Sequence, residues 1–312
     1  MEKKVVYGPV PSRRLGRSLG VDLVPYKICS YDCIYCQIGR TPRPTIHRKS
    51  YIVADKVVND VLNRLEEGAS PDYITLGGSG EPTLNSDIRE IIERIKSATD
   101  TPVTVLTNGS LLMFPDVRRD IKGADVVLPS FDACSEEMFQ KINRPCKDLD
   151  FDKMAEGLVQ FRKEYQGRIW VEIFLINGIN TSDSDTAGFK KWMDRIQPDK
   201  IHLNTAVRPT AESNLSRPDD KCLVRIKNML GDRAEIVVAY QGEETGTGGP
   251  AVREELISLL SRRPCTLADI ANGLNIHQHE ILKYLEPLVD SGEMEIVRTS
   301  DEIYYQKKHQ TS

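Results

Sequence analysis

The sequence predicts an α/β fold on a parallel sheet, followed by a second, smaller unit of helices and a strand pair. Three observations carry this expectation. From residue 18 to about 240, short β-branched runs alternate with amphipathic stretches, the pattern of strands that re-enter one sheet through helices. The 312 residues exceed the roughly 100–200 of one ordinary domain. The run Gly-Glu-Glu-Thr-Gly-Thr-Gly-Gly-Pro over 242–250 has the composition of a hinge between units. The expected division is therefore 1–241 for the sheet unit, 242–250 for the linker and 251–312 for the C-terminal unit.

The expected parallel strands are 19–24, 73–76, 103–107, 126–129, 170–176 and 201–204, with a late strand near 235–239. Between them, Val57, Val58, Val61, Leu62 and Leu65 fall at three- and four-residue steps, and Ile88, Ile91, Ile92 and Ile95 repeat the device. Such stripes are the buried faces of helices. Further helices are expected around 151–165 and 186–196. Before the sheet, Arg13, Arg14 and Arg17 cluster among glycine and proline; arginine's planar, permanently charged fork suits anions, and a plain lead-in strand is the simpler reading.

Composition narrows the function. No window reaches the ~20 apolar residues of a membrane span, and the first thirty residues carry no signal-peptide pattern. The expectation is a cytoplasmic protein in a reducing compartment. A net charge of −4 provides no general field to gather nucleic acid. Of seven cysteines, Cys134, Cys146, Cys222 and Cys265 share no spacing and read as buried thiols. The other three do share one.

Cys29-x3-Cys33-x2-Cys36 follows the first predicted strand. Short, uneven cysteine spacing is how chains wrap iron–sulfur clusters, and three thiolates on four irons leave one iron open to a ligand. The competing chemistry is structural zinc, which usually wants four protein ligands; His47 is the nearest candidate for the fourth. With Tyr35 just before the last cysteine, the loop resembles that of the radical S-adenosylmethionine (radical SAM) superfamily. The resemblance implies a partial (β/α)6 TIM-like barrel. It also implies a 4Fe–4S cluster on Cys29, Cys33 and Cys36, with S-adenosylmethionine bound at the open iron. Reductive cleavage would then give a 5′-deoxyadenosyl radical that abstracts hydrogen from a substrate. A reductant such as flavodoxin or ferredoxin is implied as a partner.

In barrels of this kind functional residues collect at the carboxyl ends of strands, and the remaining motifs obey that rule. Gly77-Gly-Ser-Gly-Glu-Pro82 follows the second strand and resembles the superfamily's Gly-Gly-Glu-Pro element, with Ser79 in place of its first glycine. Gly78, Gly80 and Glu81 are thereby implied as cofactor contacts. Glycine runs after strands also make ordinary turns. Asn108, Ser130 and Asp132 resemble the polar set around the cofactor's ribose and carboxylate, and Tyr35 of the cysteine loop is implied as a further cofactor contact. Asn177, Asn180, Asn204, Thr205 and Arg208 lie at later strand ends, and Arg40, Arg43, Arg48 and Lys49 follow the cysteine loop as a further expected basic rim. No general acid or base is assigned; Tyr7, Glu172 and Arg208 are substrate-facing candidates with equally good structural explanations.

From about residue 7 to 240 the chain resembles radical SAM proteins related to wyosine tRNA synthetases, through Ser12-Arg-Arg-Leu-Gly, the cysteine loop, Gly-Ser-Gly-Glu-Pro-Thr-Leu and Asn143-Arg-Pro. True wyosine synthases carry a second cluster on upstream cysteines, and here none precedes Cys29. That absence counts against tRNA-guanosine condensation, and the substrate expectation spans a tRNA base and a peptide or protein.

Beyond the linker, 253–260, 267–271 and 276–288 read as helices and 294–305 as a two-stranded wing, a winged helix-turn-helix domain. DNA binding through His277, Gln278, His279 and Lys283 is disfavoured, because residues 250–312 hold 7 Lys and Arg against 10 Asp and Glu where a nucleic-acid domain shows a basic footprint. Protein or substrate docking is preferred. A cluster-bearing, S-adenosylmethionine-responsive DNA regulator is the alternative. As separate units, the barrel would keep its cleavage chemistry after removal of 250–312. Alanine at any one of Cys29, Cys33 or Cys36 is expected to abolish both the cluster's visible absorbance and cofactor cleavage; retained cleavage would overturn the assignment.

Overall fold

The computed structural model describes residues 5–206, 209–237, 251–274, 276, 278–299 and 302–308. Arg208, the linker 242–250, His277 and the side chain of His279 lie outside these residues.

Strands β1 (Val6–Ser12) and β2 (Gly16–Asp22) form an antiparallel hairpin. From β2 on, every pairing is parallel, through β3 (Tyr73–Gly77), β4 (Val103–Thr107), β5 (Val126–Pro129), β6 (Arg168–Leu175), β7 (Lys200–Thr205) and β8 (Ala234–Ile236). Spatial order follows chain order from β1 to β8. A doubly wound sheet reverses its order at a switch point; this one does not, and β1 and β8 remain its edges. The architecture is an open, partial barrel. The first parallel strand starts at Gly16, three residues earlier than expected, because pairing with β1 extends it.

The expected stripes do face the core: α1 (Ala54–Glu66) buries Val57, Val58 and Val61, and α2 (Ile88–Ala98) buries Ile88, Ile91, Ile92 and Ile95. Helices α5 (Phe151–Glu164) and α6 (Asp183–Ile196) fall near their expected places. The periodicity did not reveal α3 (Pro115–Ile121), α4 (Glu136–Ile142) or α7 (Asp220–Leu230). The first two span only seven residues each, too short for a helical period to repeat. On the sheet's inner face a separate apolar set, Leu15, Val126, Leu128 and Trp170, packs with Tyr73 and Leu106. Leu15 belongs to the β1–β2 turn, so the hairpin closes the barrel at the end away from the cysteine loop.

The C-terminal unit comprises α8 (Ala251–Leu260), α9 (Leu267–Leu274), α10 (Gln278–Asp290) and the hairpin β9 (Met294–Arg298) with β10 (Ile303–Lys307). Its core, built around Leu256, Ile270, Ile281 and Leu285, includes Val10 of β1. Helices α8 and α9 cover β1, which shields an edge strand that would otherwise offer unpaired backbone groups. Through Val10 the apolar core of the last helices extends onto β1. Of the four scattered cysteines only Cys265 is fully buried; Cys134, Cys146 and Cys222 are half-buried. Among the described residues no helix is long and apolar enough to cross a membrane.

Val10→Asp would place a charge in that shared core and is expected to cost at least about 2 kcal/mol, while Val10→Ile stays near the parent. Urea unfolding curves compare the two.

Candidate metal centre

The cysteines lie in the long loop between β2 and α1, which is fastened on two sides. Lys27 N donates to Ser79 O at 2.7 Å and Glu81 N to Ile28 O at 2.9 Å, tying it to the loop after β3. Asp32 N donates to Asn143 O at 3.0 Å, Ile34 N to Ile142 O at 3.0 Å and Cys146 N to Ser30 O at 2.9 Å, tying it to the segment after α4. Two glycines make the first fastening feasible. A Cβ on Gly80 would stand 2.1 Å from Ile28 O, and one on Gly78, whose φ is +101°, would stand 2.1 Å from Asp22 Oδ1. Ser79 takes part through its backbone, its N donating to Asp22 Oδ1 at 2.9 Å, so its departure from glycine is tolerated.

Each sulfur has its own nitrogen donor. Asn108 Nδ2 lies 3.5 Å from Cys29 Sγ, Asn143 Nδ2 3.5 Å from Cys33 Sγ, and Lys27 Nζ 3.2 Å from Cys36 Sγ. Burial, with the Glu81 charge adding to it, pushes the Cys29 thiol up to about 12; burial and then the Asp132 charge hold Cys33 high as well. As free thiols these groups would be inert, whereas metal coordination deprotonates a thiol outright. A neutral thiol is a weak acceptor, so three nitrogens aimed at sulfur suit thiolate ligands, whose hydrogen bonds tune an iron–sulfur cluster. The donor set therefore fits a cluster. His47, the zinc alternative's fourth ligand, is exposed, and among the described residues no three His, Cys, Asp or Glu side chains converge on a single ion. Cys134 packs on Gly188 of α6, while Cys146 sits behind the cysteine loop.

Two buried carboxylates organise the surroundings. Glu81 accepts from Thr83 N, Thr83 Oγ1 (2.5 Å), Thr107 Oγ1 (2.6 Å) and Asn108 N (2.7 Å). Four donors fill the sites a carboxylate offers, so its side chain joins the β3 and β4 loops. Asn108 is held in turn by Ser30 Oγ at 2.8 Å. Asp132 accepts from Tyr35 OH (2.5 Å), Asn143 Nδ2 (2.9 Å) and Phe174 N (2.9 Å), and burial pushes its carboxyl up to about 6 against those bonds. Tyr35 also stacks on Phe174, with centroids 4.1 Å apart. Ser130 is half-buried at the end of β5, its N donating to Thr107 O at 2.9 Å and its backbone bridging to Glu172.

The structure thus gathers Tyr35, Gly78, Gly80, Glu81, Asn108, Ser130 and Asp132 around or directly behind the cysteine loop. Other expectations change. Arg13, Arg14 and Arg17 belong to the β1–β2 turn and its flank, at the opposite strand ends from the cysteines, and Arg14 reaches inward to pair with Glu172. Arg40 is paired with Asp32 and Glu212, and Arg48 with Asp116 and Asp120, so these two charges are answered locally, while Arg43 and Lys49 are exposed. Asn180 is a structural knot: its Oδ1 accepts from Ile176 N, and its Nδ2 donates to Asp132 O and Phe174 O. Asn177 meets Ser216, and Asn204 Nδ2 reaches Glu172 at 3.2 Å. Sequence reasoning missed Lys27 and gave Asn143 no role. Lys27 adopts φ +62°, a conformation without a sequence signal in lysine; the Asn-Arg-Pro motif was the only hint of Asn143.

Comparison with known proteins gives a match to the family described as the radical SAM superfamily over residues 23–189. A UPF0026 protein of Methanocaldococcus jannaschii is 31% identical and aligns over 97% of this chain and 96% of its own. A Brachyspira hyodysenteriae protein named GTPase Obg is 37% identical over 94% of this chain; the match spans 44% of that longer protein. Among solved structures, TYW1 with a lysine–pyruvate adduct bound shares the fold, with a TM-score of 0.50 and 17% identity over 94% of this chain and 81% of that one.

Asp132→Asn would set an amide against Tyr35, Asn143 and the Phe174 N–H, which together need acceptors. Loss of cluster retention is expected, read as faster bleaching of the reconstituted protein's visible absorbance. The raised carboxyl also fixes a sign: the folded protein favours the protonated form, so Asp132's contribution to stability falls as pH rises from the ordinary carboxylate range through about 6. In Asp132→Asn that slope disappears from apo-protein melting curves.

Proposed function

Because this chain belongs to the radical SAM superfamily, it is an enzyme of the 4Fe–4S and S-adenosylmethionine class, and we propose that Cys29, Cys33 and Cys36 hold its cluster and that the surrounding mouth residues hold its cofactor. The supporting observation is the separate nitrogen donor at each sulfur, from Asn108, Asn143 and Lys27. When bound, the cluster supplies the electron that cleaves S-adenosylmethionine to a 5′-deoxyadenosyl radical, the species that removes hydrogen from a substrate.

The protein's own part is positional. Lys27, buried between Cys36 Sγ and Gly39 O, keeps a positive charge beside one ligand. Gly78 and Gly80, whose missing side chains make room for Asp22 and Ile28, seat the backbone of the loop after β3 against the cysteine loop. Glu81 and Asp132 act by fixing neighbours, since their oxygens are occupied within the protein, and Ser130, Asn108 and Tyr35 present polar and aromatic surface at the mouth. This division of labour leaves the difficult chemistry to the cofactors and their orientation to the chain.

The substrate is read as a macromolecule, a tRNA base or a peptide or protein, with residues 251–312 as a winged-helix docking module. A flavodoxin or ferredoxin of a reducing cytoplasm would donate electrons. The helix order of that module also suits a DNA-binding regulator, but its excess of acidic residues weighs against phosphate contact.

Anaerobically reconstituted, reduced protein is expected to form 5′-deoxyadenosine from S-adenosylmethionine, with the yield raised by one of three added pools: tRNA, peptides or small metabolites. A fully loaded cluster with no cleavage would favour the regulator.

A further inference from the structure

The C-terminal unit sets one buried side chain against β1 and the end of β2. Arg262, just after α8, stacks its guanidinium over the Tyr7 ring at 4.1 Å and pairs with Asp22 Oδ2 through Nη2 at 3.2 Å and Nε at 3.3 Å. Its remaining nitrogen, Nη1, donates to Ser258 O at 2.7 Å and Ser258 Oγ at 2.5 Å. The pair is well shielded, with side chains 11% and 6% exposed.

Both partners of Arg262 touch the loop after β3. Asp22 is the last residue of β2; its other oxygen, Oδ1, accepts from Ser79 N and occupies the space a side chain on Gly78 would need. The Tyr7 ring lies on Gly20, and its hydroxyl is 3.4 Å from where a Gly78 Cβ would be. A continuous line of contacts therefore runs from α8 through Arg262, Asp22 and Tyr7 to Gly78 and Ser79, whose carbonyl holds Lys27 N at the start of the cysteine loop. A second polar strut joins the units at the surface, where Arg64 of α1 donates to Gly8 O and to Glu255 of α8, each at 2.9 Å.

We propose that Arg262 is a positioning residue for the cofactor site: the C-terminal unit clamps the Gly78–Gly80 backbone through Asp22 and Tyr7, and so belongs to the active site. The proposal rests on the reading that this loop receives S-adenosylmethionine. It follows from the physics of a shielded ion pair. Removing the guanidinium strands a buried carboxylate, which then gains by turning toward water, and Asp22 cannot turn without releasing Ser79 N. Loss of the whole unit would uncover Val10 and Tyr7 as well, so the barrel is not expected to keep full cofactor affinity without it.

The test compares Arg262→Ala, Arg262→Lys, Asp22→Asn and the double variant Arg262→Ala/Asp22→Asn in the full chain. The first readout needs no cofactor: hydrogen exchange of the peptide spanning residues 77–81 is expected to quicken in Arg262→Ala and Asp22→Asn. In cluster-loaded protein, the S-adenosylmethionine dissociation constant is expected to rise roughly tenfold or more, about 1.4 kcal/mol per decade. The cleavage rate at saturating cofactor and the iron content should stay near the parent's, a split that general destabilisation would not produce. Arg262→Lys should recover part of the affinity, and the double variant should be less impaired than the two single effects combined, as expected for partners in one interaction. Unchanged exchange and unchanged affinity in Arg262→Ala overturn the clamp. Should Arg262→Ala unfold, Arg262→Lys and Asp22→Asn carry the same comparison. If the parent protein binds no S-adenosylmethionine but its variants loosen residues 77–81, the clamp stands and the functional reading falls.

Discussion

The architecture of the mouth depends on one close backbone approach, that of Gly80 and Glu81 to Ile28. With no side chain at position 80, Glu81 N reaches Ile28 O at 2.9 Å, and two loops that leave different strands become one surface. The consequences run outward from there. Glu81's carboxylate is held at the seam and takes donors from Thr107 and Asn108 at the end of β4. Asn108 is thereby aimed at Cys29 and Ser30. A cysteine loop that is long and mostly irregular thus gains fixed geometry from its neighbours.

Burial sets the electrostatic character of the site. Glu81 and Asp132 are almost fully enclosed, and desolvation raises both carboxyls. An unpaired carboxylate in such surroundings would be costly, yet each is met by three or more donors. Their negative charge lies beside the sulfurs and raises the thiols further. The surroundings therefore oppose thiolate formation at Cys29 and Cys33 in the absence of metal, which makes their deprotonation a consequence of coordination. Lys27 reaches Cys36 Sγ and Gly39 O from a residue with a left-handed backbone.

The C-terminal unit would pass for an appendage in the sequence, because a glycine-rich stretch precedes it. Its relation to the barrel is set by β1, an edge strand whose Val10 completes the second core. Covering that edge solves a backbone problem for the sheet and an apolar one for the helices together. The same docking carries Arg262 to Asp22, so the unit's position and the order of the loop after β3 are one question.

By itself the sequence determined what repeats locally or is spelled in consecutive residues: the alternation of β2 to β7 with helices, the buried stripes of α1 and α2, the cysteine loop, the Gly-Ser-Gly-Glu-Pro turn and the helix order of the last sixty residues. It left α3 and α4 unseen because two turns hold too little periodicity, and it gave no sign that the hairpin carries Arg13, Arg14 and Arg17 to the strand ends opposite the cysteines. Tertiary structure alone decided which groups meet. Asn143 faces a sulfur 110 residues earlier in the chain, and Arg262 a carboxylate 240 residues earlier. Local composition records a residue's intrinsic preferences. A donor aimed at Cys33 or a guanidinium laid over Tyr7 depends on how the sheet curls and which edge the last helices cover, and only the closed packing of the whole chain fixes those.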